Sequence, residues 1–211
     1  MLAMQSSLFE LRQSEGSPNL LPLDGWAEYY PKTLSERESF HLMHQLKTSL
    51  SWEPDQLMMF GKKVATRRKV AWVGDAHCAY TYSGIKKNPQ AWIPELLSMK
   101  AQLEDLAQSE FNSCLLNFYH DGDDGMGWHS DNEKELDPYA PIASLSLGAE
   151  RKFAFRHKET KTSVSLNLED GSALIMRSPT QQFWKHALLK TKVVSEPRLN
   201  LTFRRILIRN A

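Results

Sequence analysis

Near its C-terminal end the chain carries Arg198-Leu199-Asn200-Leu201-Thr202-Phe203-Arg204, and this segment restricts the possible folds more than any other. Successive side chains of a strand point to opposite faces, so Leu199, Leu201 and Phe203 share one face and Arg198, Asn200, Thr202 and Arg204 the other. The first face asks for a core. If the strand is interior, the second puts two guanidinium groups inside the protein, where an unpaired cation is costly. An interior strand therefore needs an anion or partner carboxylates beside it. A dicarboxylate fits, because Arg grips carboxylates with two parallel hydrogen bonds. An edge strand with its Arg face in water is the alternative that the segment leaves open.

The segment closes a series of short β-prone stretches at 113–119, 141–147, 151–157, 162–168, 172–177, 182–187 and 199–208. Ile142, Ser144 and Ser146 alternate with Ala143, Leu145 and Leu147, as a half-buried strand should. Short strands broken by Gly, Pro and Asp turns predict a sandwich or barrel. Ahead of them, Thr33 or Ser35 is placed to cap a helix running to about Leu50, with Phe40, Met43, Leu46 and Leu50 at helical spacing. A second helix is expected over Ile93 to Ala107 through Leu96, Leu97, Leu103 and Leu106. Between the helices, residues 57–84 are β-prone and punctuated by Gly61, Gly74 and Gly84. The expectation is an α+β protein: a double-stranded β-helix, or jelly roll, with the N-terminal helices backing one sheet.

The chain has 211 residues and is 41% hydrophobic, enough for one well-buried core and too little for two domains. Residues 1–30 are polar and Pro-containing and read as a loosely held arm, leaving 31–211 as one domain. Two cysteines, Cys78 and Cys114, make neither a disulfide framework nor a zinc knuckle. Residues 1–15 lack a basic stretch followed by an apolar run, and no span of about 18 apolar residues occurs, so a cytoplasmic protein without a membrane partner is expected. Net charge is only +1. Local charge is more informative: Lys62, Lys63, Arg67, Arg68 and Lys69 form one basic cluster, and Arg151, Lys152, Arg156, His157 and Lys158 another. Each reads as a solvated face or as a phosphate-binding surface.

The segment Gly127-Trp128-His129-Ser130-Asp131 bears the chemistry. His129 and Asp131 are two apart, so on extended chain both side chains leave one face. Two His and one carboxylate on one face of an octahedron mark non-haem iron(II) oxygenases, because three coordination positions stay open. His186, in Phe183-Trp184-Lys185-His186, is placed to supply the third ligand from a distant strand. An H-x-D pair by itself is also what a surface His beside an Asp looks like. His41, His44, His77, His120 and His157 read as ordinary structural residues.

Taken together, Asn117-x-Tyr119, His129-x-Asp131, Ala140-Pro141-Ile142-x-Ser144-x-Ser146-Leu147-Gly148, His186 and Arg198-x-Asn200-Leu201-Thr202-Phe203-Arg204 resemble the AlkB dioxygenases over roughly residues 57–208. The segments Phe153-x-Phe155-Arg156-His157-Lys158, Phe60-Gly61-Lys62 and Arg68-Lys69 resemble most the animal homologues that repair DNA. The resemblance implies that His129, Asp131 and His186 hold iron(II), and that Asn117, Tyr119, Arg198, Asn200 and Arg204 line a 2-oxoglutarate site. It also implies a nucleotide-recognition lid over about 57–84, with Phe60, Arg68, Trp72, Tyr80 and Glu133 meeting the substrate. Two positions depart from the family. Where relatives place a base-stacking aromatic just before Gly74, this chain has Val73 with Trp72 beside it, so either Trp72 serves through a register change or stacking is weaker. Relatives also commonly carry a second acid after the metal Asp, where this chain has Asn132.

The implied activity is oxidative dealkylation of bases such as 1-methyladenine and 3-methylcytosine in DNA. It consumes dioxygen, converts 2-oxoglutarate to succinate and releases an aldehyde. The implied partner is alkylated DNA, with RNA also compatible, acted on by a monomer. Two other readings remain open: the same chemistry on RNA or a protein side chain, and a non-catalytic nucleic-acid-binding module.

Overall fold

The computed structural model describes residues 17–59, 62–78, 80–82 and 85–207, with backbone alone at 56–59, 62–64, 80–82 and 85–87. In chain order the elements are β1 (Trp26–Tyr30), α1 (Glu36–Ser49), β2 (Glu53–Met59), β3 (Lys62–Gly74), β4 (Tyr80–Tyr82), β5 (Ile85–Lys87), α2 (Pro94–Ala107), β6 (Ser113–Tyr119), β7 (Met126–His129), β8 (Ile142–Gly148), β9 (Arg151–His157), β10 (Ser163–Leu168), β11 (Ala173–Arg177), α3 (Thr180–Phe183), β12 (Trp184–Leu188) and β13 (Arg198–Arg204). A major sheet runs β1-β11-β8-β13-β6-β3-β2 and a minor sheet β10-β9-β12-β7, with β4 and β5 paired apart. This is the expected jelly roll, one of the sandwich or barrel forms to which the strand spacing points.

Strand β13 lies between β8 and β6 in the middle of the major sheet, so the edge-strand alternative falls. Leu199, Leu201 and Phe203 are fully buried under the helices, beside Leu116, Leu145 and Leu147. Their polar neighbours face the space between the two sheets. That interior is apolar at one end, where Ile142, Phe155, Leu174, Met176 and Trp184 pack, and polar at the other. At the end of β8, Gly148 has φ +81°, and a Cβ there would lie 2.6 Å from the Pro197 carbonyl. Only glycine accepts that turn without strain, and it stands opposite Arg198 in the ladder.

Helix α1 begins with the capping box of Ser35 and Glu38, in which each satisfies the other's backbone N–H. Its buried face is Ser39, Leu42 and Leu46, and the expected Phe40 is 71% exposed. Leu42 and Leu46 turn this face to the core, the Ser39 hydroxyl on it donates to Asp170, and Phe40 lies a quarter-turn away. Likewise α2 buries Leu96, Met99, Leu103 and Ala107, while Leu97 faces out.

The N-terminal expectation needs correction from residue 17 onward. Residues 26–30 form β1, which pairs along its whole length with β11, and Ala27 is fully buried. Asn19 braces the entry, accepting from Leu21 and Ala27 N–H and donating to Leu21 and Gly25 carbonyls. An otherwise open sheet edge supplied the pairing groups, which polarity of sequence does not reveal. Among the described residues no helix is long and apolar enough to cross a membrane.

Candidate active site

Strands β7 and β12 are neighbours in the minor sheet, and His129 faces His186 in their register. Their rings lie 4.2 Å apart at 68°. Asp131 follows just beyond β7, in chain that belongs to no strand. His129, Asp131 and His186 offer ligand atoms that all lie within 4.8 Å of one another, the group among the described residues able to hold a metal ion. His129 Nε2 is 3.7 Å from Asp131 Oδ1, and His186 Nε2 is 4.0 Å from Oδ2. The other ring nitrogen of His129 lies 2.8 Å from the Gly127 carbonyl. Donating there, Nδ1 leaves the Nε2 lone pair for a metal. His186 is held by rings instead, stacked on Phe153 and edge-on to Phe155.

Electrostatics suit ligation. Burial pushes the His186 imidazole down to about 4, outweighing the pull of Asp131, so it is neutral and its lone pair free. Burial alone would raise the Asp131 carboxyl, but Arg204, then His186 and His129, hold it below the usual range. Arg204 Nη2 lies 2.9 Å from Asp131 Oδ1, and Gln181 Oε1 accepts from the Asp131 backbone N–H at 2.9 Å.

Beside the triad, Asn117 and Tyr119 on β6 face Asn200 and Arg198 on β13. A cavity of about 60 Å³ joins these four to the triad, Arg204 and Met126. Arg198 is 1% exposed. Its Nη2 donates to Ser146 Oγ and Asn200 Oδ1, both at 2.8 Å, and Asn200 passes a further bond to Thr202. Burial lowers its pKa to about 10, which still leaves it charged at neutral pH. No carboxylate among the described residues pairs with it, and the buried Nε groups of Arg198 and Arg204 and Nδ1 of His186 have no partner. A buried cation with spare donors, one cavity away from a His-Asp-His cluster, fits a carboxylate cosubstrate and a divalent metal.

Residues 27–204 match the family model described as the 2OG-Fe(II) oxygenase superfamily. The mouse DNA oxidative demethylase ALKBH2 is 42% identical over 160 residues, covering 72% of this chain and 67% of that protein. The chain belongs to the AlkB family of 2OG-Fe(II) oxygenases. The human DNA oxidative demethylase ALKBH2 is 43% identical, over 72% of this chain and 62% of its own length. The mouse alpha-ketoglutarate-dependent dioxygenase alkB homolog 3 is 35% identical, over 84% and 65%. This AlkB-family chain therefore spans less than two thirds of the human relative's length. A solved structure, that of OsALKBH1, superposes with a TM-score of 0.59 at 18% identity, covering 85% of this chain and 97% of that one, which supports the fold. Family membership implies iron(II), 2-oxoglutarate and dioxygen as cofactor and cosubstrates.

The residues expected to meet the substrate are less uniform. Trp72 lies on the interior face opposite Leu115, half-buried, with Nε1 donating to Ser113 Oγ at 2.8 Å. Val73 points the other way and is fully buried beneath the helices. Glu133 is exposed and lines a second cavity that shares Asp131, Arg204 and Met176 with the first. Phe60 lies outside the described residues, as does the Tyr80 side chain, although Tyr80 opens β4. Arg68 is not available to a substrate as it stands: it is 4% exposed and ion-paired with Asp55. The second basic cluster is also split. Arg151 is buried and donates to the carbonyls of Asp121, Gly122, Asp124 and Leu189. His157 is buried too, while Lys152 and Arg156 are exposed, Arg156 lying 4.4 Å over the Trp128 ring. Sequence reasoning missed Gln181, Met126 and Phe153. For Phe153 the alternation in β9, which puts it on the face of Phe155, was available.

Proposed function

We propose that this AlkB-family chain is an iron(II)- and 2-oxoglutarate-dependent dioxygenase that oxidatively removes alkyl groups from damaged bases in DNA. The reading rests above all on the buried, carboxylate-free Arg198 beside the His129, Asp131 and His186 cluster. A nucleic-acid-binding module would carry no reason to bury a cation with spare donors beside a metal cluster. It is supported by similarity to relatives named DNA oxidative demethylase.

His129, Asp131 and His186 would hold the iron, and Arg198, with Asn117, Tyr119 and Asn200 around it, would bind a carboxylate of 2-oxoglutarate. With both bound, the centre supplies oxidation of the N-alkyl carbon by dioxygen, so that 2-oxoglutarate leaves as succinate and carbon dioxide and the alkyl group as an aldehyde. The protein's part is positioning and exclusion of water. Arg204 neutralises Asp131 and fixes its carboxylate. Trp72, on the interior face, offers a ring to the base, and Glu133 offers an exposed carboxylate to a lesion such as 1-methyladenine or 3-methylcytosine, which is cationic. Such lesions pair poorly, so extruding them into a pocket costs less. Phe60 and Tyr80 are assigned to the lid, and the exposed Arg67 and Lys69 to phosphates. The enzyme is read as a monomer, which sedimentation at working concentration tests.

The deciding experiment incubates the protein with alkylated single- and double-stranded DNA and RNA, with and without iron(II) and 2-oxoglutarate. Loss of the alkyl group from DNA, matched by succinate, is expected. Succinate and repair on RNA alone would move the substrate, and no succinate under any condition would end the reading.

A further inference from the structure

Arg68 stands in a row of three side chains that crosses three neighbouring strands. Arg198 on β13 faces Tyr119 on β6, and the register that pairs Lys69 with Phe118 puts Arg68 of β3 on the far side of Tyr119. The Tyr119 ring, 4% exposed, thus has a guanidinium on each side: Arg198 Cζ is 5.5 Å from its centroid and Arg68 Cζ 5.8 Å. Arg67 and Lys69, one position either way, point outward and are exposed. The basic run is therefore divided by strand alternation into two surface cations and one interior cation.

A bulge and a counter-ion keep Arg68 inward. Pairing of β2 with β3 slips between Pro54–Lys69 and Gln56–Ala65, which leaves Asp55 opposite Thr66, Arg67 and Arg68. Such bulges re-aim side chains. The Asp55 carboxylate accepts from Arg68 Nη2, and Nη1 lies against Met126, which lines the same cavity as Tyr119. Arg68 Nε is buried and has no partner. A side chain so enclosed is poorly placed for a solvent-side phosphate and well placed to fix the ring next to it.

We propose that Arg68 is a positioning residue of the cosubstrate site, holding the Tyr119 ring from the side opposite Arg198, with Asp55 of β2 as its lock. This rests on the reading of that cavity as the 2-oxoglutarate site. It makes the base of the β2–β3 hairpin, and not only β6 and β13, a determinant of cosubstrate affinity. Cation–ring contacts away from water are among the stronger ones.

The test titrates 2-oxoglutarate into Mn(II)-loaded protein by calorimetry without dioxygen, for wild type, Arg68→Met, Arg68→Lys, Asp55→Asn, Tyr119→Leu and the Arg68→Met/Tyr119→Leu double variant, with melting curves alongside. Arg68→Met should weaken binding about tenfold, with Arg68→Lys recovering part of the loss and Asp55→Asn, at a partly exposed position, giving a smaller loss in the same direction. In the Tyr119→Leu background, Arg68→Met should add nothing further, which a general loss of stability would not reproduce. The salt dependence of DNA binding should be unchanged by Arg68→Met. Undiminished affinity in Arg68→Met and Asp55→Asn, equal losses with and without the Tyr119 ring, or a salt slope reduced by about one would each overturn the proposal. If Arg68→Met does not fold, Asp55→Asn decides by the same criteria. Failure of the wild-type protein to bind 2-oxoglutarate would instead overturn the functional reading, and this inference with it.

Discussion

Arg204 Nη2 lies 2.9 Å from Asp131 Oδ1, so the last residue of the C-terminal strand neutralises the carboxylate of the metal cluster. Asp131 sits in chain without ladder hydrogen bonds, and its position depends on two side chains brought from elsewhere, Arg204 at its carboxylate and Gln181 at its backbone N–H. Its placement in the cluster therefore rests on tertiary contacts to a greater extent than that of His129 or His186, which belong to paired strands.

Alanine at His129, Asp131 or His186 should abolish iron retention and turnover, since two remaining arms hold iron loosely. Iron per protein after gel filtration and succinate formation measure this. Near-normal values for any one of the three would remove that residue from the ligand set.

Arg198→Ala should raise the KM for 2-oxoglutarate on the order of tenfold to a hundredfold, the size expected for lost hydrogen bonds to a charged group. The KM for alkylated DNA should change little. Steady-state kinetics with each substrate varied in turn distinguishes this from a phosphate-binding role, which would weaken the DNA term instead.

Acid should destabilise the metal-free protein through His186. In the fold its pKa is pushed from 6.5 to about 4, so the unfolded chain takes up a proton first as pH falls. Stability from this residue is complete above about pH 6.5 and is lost progressively as pH drops through about 4, to a total on the order of 3 kcal/mol. Asp131, also held below its ordinary value, adds a loss of the same sign at lower pH. Urea unfolding between pH 7.5 and 4.5 should show a smaller fall for His186→Gln than for wild type. Parallel curves would count against the burial effect.

The two thiols should be inert in the folded state. Burial pushes Cys78 up to about 11 and Cys114 higher still, so neither is a thiolate at neutral pH. Iodoacetamide at pH 7.5 should leave both unlabelled natively and label both in denaturant. Rapid native labelling of either would mean that its burial is transient.

Much of the site was legible in the chain because strand alternation is a local rule. Arg198-Leu199-Asn200-Leu201-Thr202-Phe203-Arg204 declares two faces wherever that strand lies in a sheet, whereas His129-x-Asp131 names two candidate ligands of which Asp131 lies beyond the end of β7. The sequence also carried the information that Arg68 shares parity with Val70 and Trp72 rather than with Arg67 and Lys69, although its charge suggested a surface role.

The sequence alone determined which residues alternate, most of the strands from residue 113 onward and which side chains are candidates to act as ligands together. Tertiary structure decided the rest. It made β13 a central strand and so turned Arg198 from a solvated charge into a buried one. It recruited residues 26–30 into the sheet, sent Val73 beneath the helices and kept Trp72 on the interior face. It brought His186 opposite His129 across 57 positions of chain, and Arg204 and Gln181 to Asp131. The physical reason is that the cost of a buried charge and the pairing of a strand edge depend on what lies alongside in space, and neighbours in space are set by sheet order, which no local pattern encodes.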